Sequence, residues 1–343
     1  MDKLAQIIID DAKNSTKGID FLELKNKTVL ITGASGLVGT YLLAGLSNVS
    51  QKNYPKKIYA VCQSNPEKHW QEITDSLKTT VMRGDLCDDA FTNKLPEADI
   101  IIHASGYGQP GKFMANPIKT TKLNTTVTIK LLEKLKPKGK FLFISSSEVY
   151  SGLSNPPHRE NQIGTTNTDH PRSCYIESKR CGEAIVFSAR NQGIDAKSAR
   201  LSLAYGPGTK TDDKRAINGF IGRALTERKI ELMDAGEALR TYCYITDATQ
   251  MMWNILLHGK ENIYNVGGIS RTTIAKLAKL IGKITKVPVI IPKLKKRALA
   301  SAPEDVRLDL QKVTKEFGKK DFVSLKNGLR RTIEWQKELY KQL

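Results

Sequence analysis

The stretch 27–39, KTVLITGASGLVG, decides the fold of this chain. A short β-branched and apolar run is followed by glycines at positions 33, 36 and 39, and a helical pattern comes next. Glycines in a strand-to-helix turn let the backbone bend tightly and approach a pyrophosphate at a helix N-terminus. A tight structural turn is the alternative. We expect a dinucleotide to contact the residues of this turn, namely Gly33, Ser35, Gly36, Leu37 and Val38.

Runs of four to eight apolar or β-branched residues, bounded by turn signals, recur through the first two thirds of the chain. They predict strands at 27–34, 57–63, 79–85, 99–105, 140–147 and 196–206. Helical patterns lie between them, and further helices are predicted near the N-terminus and over the tail 324–340. Strands that alternate with helices predict an α/β fold built on a Rossmann-type, doubly wound parallel sheet.

The strand–helix alternation loosens after residue 205, which predicts a second lobe. We expect a dinucleotide-binding Rossmann domain at 1–205, to which 245–267 returns. A smaller C-terminal substrate-binding lobe is expected at 206–244 and 268–343.

Composition narrows the class of protein. The chain has 343 residues, 40% hydrophobic and 26% charged, which is ordinary for a soluble globular protein. No apolar run is long enough for a membrane span, and the N-terminus does not resemble a secretory signal. Five scattered cysteines without a C-x-x-C pair favour a reducing cytoplasm over a disulfide framework or a zinc site.

The net charge of +19 is compatible with nucleic acid, an acidic membrane surface or an anionic small substrate as partner. Basic clusters such as YPKKIY and PKLKKR are short and are not interleaved with aromatic residues. Charge alone specifies no partner, so the sequence does not favour nucleic acid.

The end of the second predicted strand bears on the choice of cofactor. A site that prefers NAD usually has an acid there, which binds the ribose hydroxyls. This strand ends near Gln63 with no acid, and Lys68 follows nearby. We expect Gln63 to contact the cofactor and NAD to be that cofactor, with NADP as the alternative.

The ends of the third and fourth predicted strands supply further candidates. Asp85 and Leu86 are expected near the adenine, although a turn cap is an equally good role for Asp85. His103 and Ala104 are expected beside the dinucleotide. A histidine there more often packs at the cofactor edge than acts as a base.

The segment SSSEVY, residues 145–150, follows the fifth predicted strand. Ligands of open parallel sheets bind at the carboxyl ends of the strands, so hydroxyls there can bond a substrate oxygen. Serines that only cap a turn are the alternative.

The segment CYIESK, residues 174–179, places Tyr175 and Lys179 on one helix face. A free tyrosine has a pKa of about 10. A nearby ammonium and a positive nicotinamide ring favour the phenolate, which can take a proton from a sugar hydroxyl as hydride leaves the carbon. Such a pair is common by chance, and its weight comes from following SSSEVY.

These three motifs, in this order, resemble the extended branch of the short-chain dehydrogenases/reductases, the NAD-dependent sugar epimerases and dehydratases. Segments such as DIIIHASGYGQP, RLSLAYGPG and IYNVGG resemble the same branch. The resemblance implies Tyr175 and Lys179 as the catalytic pair and Ser146 as the catalytic hydroxyl. It also implies a nucleotide-sugar substrate, transient oxidation usually at C4, and a homodimer formed through the Tyr175 helix and the 118–135 segment.

SSSEVY and PRSCYIESKR are most similar to UDP-glucuronate decarboxylases, which implies loss of CO2 after oxidation at C4. The 4,6-dehydratases carry Asp-Glu where this chain has Ser147-Glu148, and simple 4-epimerases usually lack the glutamate. Both reactions remain alternatives. A more remote alternative is a non-catalytic dinucleotide-binding protein whose basic surface binds RNA or a partner.

By the same resemblance, Glu148 joins the catalytic residues. Ser147, Glu148, Arg215 and Arg240 are expected to contact the substrate. A guanidinium suits a carboxylate or a diphosphate equally well. A surface ion pair for Arg240 and a solvated loop charge for Arg215 are the alternatives. Leu203 stands where UDP-sugar members commonly have a diphosphate-binding asparagine, which implies an altered substrate grip or another sugar nucleotide.

Overall fold

A computed structural model describes residues 1–293, 305 and 307–342. The helices are α1 (Lys3–Ala12), α2 (Leu37–Leu46), α3 (Lys68–Ser76), α4 (Asp89–Asn93), α5 (Pro110–Ala115), α6 (Pro117–Asn124), α7 (Thr126–Glu133), α8 (Ser173–Asn191), α9 (Ala216–Thr226), α10 (Ile245–His258), α11 (Ile274–Thr285), α12 (Gln311–Phe317) and α13 (Leu325–Tyr340). The strands are β1 (Thr28–Thr32), β2 (Lys57–Cys62), β3 (Thr80–Arg83), β4 (Ala98–His103), β5 (Leu135–Ser146), β6 (Asp195–Leu201), β7 (Ala204–Tyr205), β8 (Ile230–Glu231), β9 (Leu239–Tyr244), β10 (Ile263–Val266), β11 (Ser270–Thr273) and β12 (Val289–Ile290).

The central sheet has seven parallel strands in the order β10-β6-β5-β4-β1-β2-β3. The strand order reverses between β1 and β4, so the crevice where open α/β sheets bind ligands lies at the carboxyl ends of these two strands. The predicted α/β fold with a doubly wound parallel sheet is confirmed. The division into two lobes stays a prediction, and the basic segment 292–297 falls mostly outside the described residues.

The prediction of one strand over 196–206 is wrong. β6 ends at Leu201, and β7 belongs to a separate three-stranded sheet, ordered β11-β9-β7. The reason lies in the backbone hydrogen bonds of the two residues between them. The Ser202 N–H donates to the Val266 carbonyl of β10 at 2.8 Å, whereas the Leu203 carbonyl accepts from Cys243 of β9 at 3.0 Å. The chain therefore changes sheets at this point.

The glycine turn after β1 packs too closely for side chains. Gly33 has a positive φ of 65°, and a Cβ there would lie 2.5 Å from the Ala104 carbonyl oxygen. A Cβ on Gly39 would lie 2.3 Å from the Gly33 carbonyl oxygen. Gly36 is the N-cap of α2, and its N–H donates to Gly33 at 3.0 Å. The turn therefore exposes backbone, with no side chain between it and the end of β4.

The predicted N-terminal helix is present as α1 and is fixed by one buried carboxylate. Asp11 accepts hydrogen bonds from the hydroxyls of Tyr41 on α2, at 3.0 Å, and Tyr244 at the end of β9, at 2.6 Å. Arg331 of α13 donates to the other carboxylate oxygen at 2.5 Å. Asp11 thus joins the first and last helices to the core.

Three features of the described residues bear on disulfides, metal binding and membrane insertion. All five cysteines are free thiols, of which Cys62 and Cys243 are buried. Within the described part, no group of three histidine, cysteine or acidic residues could hold a metal ion. None of the described helices has the length and apolar character to span a bilayer.

A buried ion pair joins α8 to the sheet. Arg200 of β6 and Glu183 of α8 are only 2% and 5% exposed, and Arg200 Nη2 lies 2.7 Å from Glu183 Oε2. The Ser145 hydroxyl of β5 donates to Glu183 at 2.5 Å. Arg200 Nη1 also donates to the Tyr150 hydroxyl at 2.8 Å and to the carbonyls of Glu160 and Gln162. These hydrogen bonds satisfy the two buried charges, as a buried charge pair requires.

Replacing Arg200 by methionine should lower the free energy of unfolding by about 3–5 kcal/mol, because Glu183 is left as an uncompensated buried charge. Urea unfolding monitored by circular dichroism measures the loss.

Arg159→Met is the control, since the Arg159 side chain is 69% exposed and pairs with Asp309 at 3.3 Å. It should cost less than about 1 kcal/mol. Equal losses for the two variants would contradict the role given to the buried pair.

Candidate active site

The site lies where the carboxyl ends of β1, β4 and β5 meet the start of α8. The register places Thr32 beside His103, and His103 beside Phe143. β5 ends at Ser146, and a 3₁₀ turn over Ser147–Tyr150 follows it directly. Since α8 packs against β5 and this turn, its first turns are brought over the ends of the strands.

The predicted cofactor residues of the first strand–helix junction come together. Gly33, Ser35 and Gly36 form the turn, and Leu37 and Val38 open α2. Ala104 follows β4 and packs directly against Gly33. This turn exposes its backbone just before a ten-residue helix, which suits the binding of a pyrophosphate. The residues present therefore fit a dinucleotide.

The Asp85 carboxylate is held by hydrogen bonds at the turn that follows β3. One carboxylate oxygen accepts from the Cys87 N–H at 2.9 Å, and the other from Lys119 at 2.5 Å. Burial works to raise the pKa of Asp85, but these hydrogen bonds outweigh it and the pKa is lowered. The turn-cap alternative is thus what the structure shows. The Leu86 side chain is buried in the core. Contacts of either residue with adenine stay predictions.

The end of β2 is flanked by positive side chains. Gln63 is exposed there, and Lys68 begins α3. Arg83, at the end of β3, bonds to Asn65, and Lys210 Nζ lies 3.5 Å from Ser64 Oγ. Sequence reasoning missed Arg83 and Lys210, which lie 18 and 146 residues from these partners. The pairing of β2 with β3 could have pointed to Arg83.

His103 is a packing residue. Its Nε2 lies 2.9 Å from the Leu123 carbonyl oxygen, which can only accept, so Nε2 carries the proton. Its Nδ1 accepts from the Thr32 hydroxyl at 2.8 Å. Burial lowers the pKa of His103 to about 3. The ring is therefore neutral, with both nitrogens engaged, and is unsuited to act as a base.

The structure brings Ser146, Tyr175 and Lys179 together. Tyr175 is buried, and its ring stacks on Phe113 with centroids 4.6 Å apart and planes 9° apart. Lys179 Nζ lies 5.8 Å from the centre of the Tyr175 ring and donates to the Ile144 carbonyl at 2.7 Å. The Ser146 side chain lies close enough to act on the Tyr175 phenol. A hydroxyl, a phenol and an amine thus converge beside the end of β5.

Burial has the largest effect on the pKa values of Tyr175 and Lys179. Burial raises the pKa of Tyr175 and outweighs the opposing effect of the Ser146 side chain. Burial also lowers the pKa of Lys179 to about 7, against the attraction of Glu183. Desolvation thus disfavours the charged form of each group, and a phenolate favoured by Lys179 and a nicotinamide ring stays a prediction.

Glu148 lies in an ion pair that sequence reasoning missed. Arg172 Nη2 donates to Glu148 Oε1 at 2.5 Å, and the Arg172 guanidinium lies 5.6 Å from the centre of the Phe113 ring. Arg172 precedes Tyr175 by three residues, which is a spacing that could have identified it. Ser147 is buried beside Glu148 in the 3₁₀ turn. The predicted substrate residues Ser147 and Glu148 therefore adjoin the Tyr175 helix.

Arg215 and Arg240 lie in the same neighbourhood. Arg215 bonds both oxygens of the buried Asp213, with Nη2 at 2.6 Å from Oδ2, and its charge acts on Tyr175. Arg240 Nη1 donates to the Leu239 carbonyl at 2.6 Å. Burial lowers the pKa of Arg240, and the charge of Glu148 opposes that shift. The two arginines are therefore held near the Tyr175 and Glu148 side chains.

The doubly wound sheet, the bare glycine turn and the Ser146, Tyr175 and Lys179 set define the class of protein: a Rossmann-type dinucleotide-binding protein of the short-chain dehydrogenase/reductase kind. A family model described as the NAD dependent epimerase/dehydratase family matches residues 29–267. The chain belongs to this family. The expected family is confirmed, and so is NAD as the cofactor of this family.

Known relatives agree with this assignment. The chain is 28% identical over 316 residues to UDP-glucuronic acid decarboxylase 6 of Arabidopsis thaliana, covering 89% of this chain and 87% of the relative. Its fold is similar to that of an epimerase from Methanothermobacter thermautotrophicus. The TM-score is 0.79 and the identity 20%, with 98% of this chain and 97% of that chain covered. It is also similar to the fold of a UDP-glucuronic acid 4-epimerase from Bacillus cereus, solved with UDP-glucuronic acid and NAD. The TM-score is 0.76 and the identity 24%, with 91% of this chain and 100% of that chain covered.

The lowered pKa of Lys179 should make stability depend on pH. The folded pKa is about 7, whereas an unfolded lysine titrates near 10.4, so the unfolded chain binds more protons between these values. The free energy of unfolding should therefore rise with pH in this window, by at most about 1.4 kcal/mol per pH unit from this group. Lys179→Met removes this contribution.

Urea unfolding of the wild type and Lys179→Met at pH 7 and pH 9 measures the effect. The wild type should gain stability relative to the variant at the higher pH. Lys326→Met, at an exposed position of α13, should show no such change. A wild-type–variant difference that is the same at both pH values would rule out the shifted pKa.

Proposed function

We propose that this protein is an NAD-dependent nucleotide-sugar enzyme that decarboxylates a UDP-uronic acid after transient oxidation at C4. The observation that carries the proposal is the convergence of Ser146, Tyr175 and Lys179 beside the Glu148–Arg172 pair. The first three residues suit hydride removal from a sugar alcohol, and the pair adds charge where a second step occurs.

In the proposed reaction, Ser146, Tyr175 and Lys179 can take a proton from the sugar and later return it. Tyr175 accepts the proton of the C4 hydroxyl, while Ser146 bonds the same oxygen and Lys179 sets the charge near the phenol. NAD, when bound, supplies the hydride acceptor and later returns the hydride. The C4 ketone draws in the electron pair of the C5–carboxylate bond, so CO2 leaves without a separate base. A proton must then reach C5, and the reaction involves no net oxidation.

The charges of the site support an anionic substrate. Arg172, Arg215 and Arg240 are positive, whereas Glu148 and Asp213 are the carboxylates that pair with or adjoin them. A nucleoside diphosphate carries negative charge, and a uronic acid adds a carboxylate. A cleft with surplus positive charge attracts such a ligand and raises its local concentration.

A nucleotide-sugar 4-epimerase is the second candidate. The Bacillus cereus neighbour that was solved with UDP-glucuronic acid is a 4-epimerase, and epimerisation needs the same oxidation. A 4,6-dehydratase is less well supported, because Ser147 stands where dehydratases carry an aspartate. A non-catalytic binding protein would not need Ser146, Tyr175 and Lys179 together.

Purified protein incubated with NAD and UDP-glucuronate should release CO2 and form UDP-xylose. NADP in place of NAD tests the alternative cofactor. Tyr175→Phe should lower turnover by about 10²–10⁴-fold, because the proton acceptor is lost while the stacking surface on Phe113 remains. NAD binding by the variant, followed by fluorescence, is the control and should persist.

Formation of UDP-galacturonate instead of CO2 would favour the 4-epimerase. Conversion of UDP-glucose or dTDP-glucose, with no reaction of UDP-glucuronate, would overturn the decarboxylase. Unchanged turnover by Tyr175→Phe would overturn the mechanism.

We also propose a homodimer formed by α6, α7 and α8. These helices pack on one another, yet they expose apolar side chains. Ile118 of α6 is 81% exposed, and Ile129 of α7 and Phe187 of α8 are also exposed. Two copies related by a two-fold axis would cover these side chains in a four-helix bundle, in which the consecutive helices α6 and α7 of each copy count as one segment.

Phe187→Glu should convert the dimer to a monomer, because it places a charge in the centre of an apolar interface. Sedimentation velocity measures the change. Met233→Glu is the matched control, since Met233 is 83% exposed but lies outside these helices. A wild type that sediments as a monomer, or a Phe187→Glu variant that remains dimeric, would contradict this interface.

A further inference from the structure

The glycine turn after β1 accepts a hydrogen bond from a side chain that lies on another helix. Trp70 of α3 is 2% exposed, and its indole Nε1–H donates to the Ala34 carbonyl oxygen at 2.8 Å. Ala34 lies between Gly33 and Ser35, so the acceptor belongs to the turn itself. The Thr40 hydroxyl also reaches this oxygen, at the longer distance of 3.4 Å. Trp70 therefore makes the shorter of these two contacts with the turn.

This contact determines where the next amide N–H points. A trans peptide unit is planar, so the Ala34 carbonyl and the Ser35 N–H point in opposite directions. Ala34 is buried against the indole, whereas Ser35 is only partly buried. The N–H groups on either side, of Ala34 and Gly36, donate within the protein, but no backbone hydrogen bond among the described residues uses the Ser35 N–H. The Ser35 N–H is thus directed away from the core and is available to a ligand of the turn.

The three tryptophans of the chain differ in what their indole N–H groups contact. Trp253 is fully buried, and its Nε1 has no hydrogen-bond partner among the described residues. Trp335 donates to the Leu4 carbonyl at 3.3 Å, which joins the last helix to the first. Trp70 makes the shortest of these contacts, and it does so with the glycine turn. Because the fold tolerates a buried indole without a partner, core packing alone does not explain the contact that Trp70 makes.

The helix that carries Trp70 is itself held in place. α3 packs against both α1 and α2. The preceding residue, His69, is buried, and its ring meets Trp335 of α13 edge-on, with centroids 5.4 Å apart. An indole on such a fixed helix can restrain a glycine-rich turn, whose own backbone is conformationally permissive.

We propose that Trp70 is a positioning residue for the dinucleotide, since it holds the Ala34 carbonyl so that the Ser35 N–H is presented to the pyrophosphate. This inference rests on the dinucleotide site that the proposed function requires. Helix N-termini bind phosphate through backbone N–H donors, and donors that are already oriented lose less freedom on binding. Loss of the indole donor therefore weakens the binding of the cofactor and leaves the binding of the sugar nucleotide unaffected.

Trp70→Phe keeps an aromatic ring in the core but removes the indole donor. The affinity of the cofactor-free protein for NAD, measured by isothermal titration, should fall by about threefold to tenfold, which corresponds to one lost hydrogen bond. The affinity for UDP at saturating NAD should change by less than about twofold. Trp253→Phe is the matched control and should leave both affinities unchanged, because its buried Nε1 has no partner among the described residues.

The unaltered protein gives a second readout, which does not depend on the folding of Trp70→Phe. Isotope labelling of the indole nitrogens gives three N–H signals in NMR spectra, and Trp253→Phe and Trp335→Phe assign them. A phosphate that accepts from the Ser35 N–H polarises the peptide and so strengthens the Ala34 carbonyl as an acceptor. NAD should therefore shift the Trp70 signal and leave the Trp253 signal in place, whereas UDP should shift neither.

Unchanged NAD affinity of a folded Trp70→Phe variant, or equal weakening of NAD and UDP, would overturn the role of Trp70. A Trp70 signal that NAD does not shift would do the same. Circular dichroism reports whether each variant is folded. A wild type that does not bind NAD would overturn the dinucleotide site itself, whereas one that binds NAD but releases no CO2 from UDP-glucuronate would overturn only the proposed decarboxylation.

Discussion

The buried pair of Arg200 and Glu183 is the interaction on which the site depends. It ties α8 to β5 and β6, and so fixes the rotation of the helix that carries Tyr175 and Lys179. Glu183 follows Lys179 by one helical turn, and its charge is the one that opposes the effect of burial on the Lys179 pKa. One carboxylate therefore both anchors α8 and adjusts the ionisation of Lys179.

Burial has opposite effects on the Tyr175 and Lys179 side chains, and it moves their pKa values apart. Desolvation raises the pKa of the Tyr175 phenol and lowers that of the Lys179 amine. Each group is therefore less charged than it would be in water. A positive charge arriving beside Tyr175 would stabilise the phenolate.

The sequence allowed correct predictions wherever the signal was local. The glycine turn, the serine-ended strand and the Tyr175–Lys179 spacing each lie within a single element, so their geometry follows from short-range rules. The Glu148–Arg172 pair was missed because it depends on how α8 packs against the turn after β5. The exchange of sheets at Ser202 and Leu203 was also missed, because both strands are β-type and only the hydrogen-bond partners differ. The effect of burial on the Tyr175 pKa could not be predicted, because burial is a property of the tertiary fold.

The packing divides the site into an anchored centre and an edge. The rigid core of the site, made of Ser146, Tyr175 and Lys179, belongs to β5 and α8, which the Arg200–Glu183 pair joins. The charges that differ among possible reactions lie at the edges, on the 3₁₀ turn with Glu148 and on the first residue before α8, Arg172. These edge residues can change without disturbing the helix anchor. A fold of this kind can therefore keep the arrangement of Ser146, Tyr175 and Lys179 while the residues at its edge change.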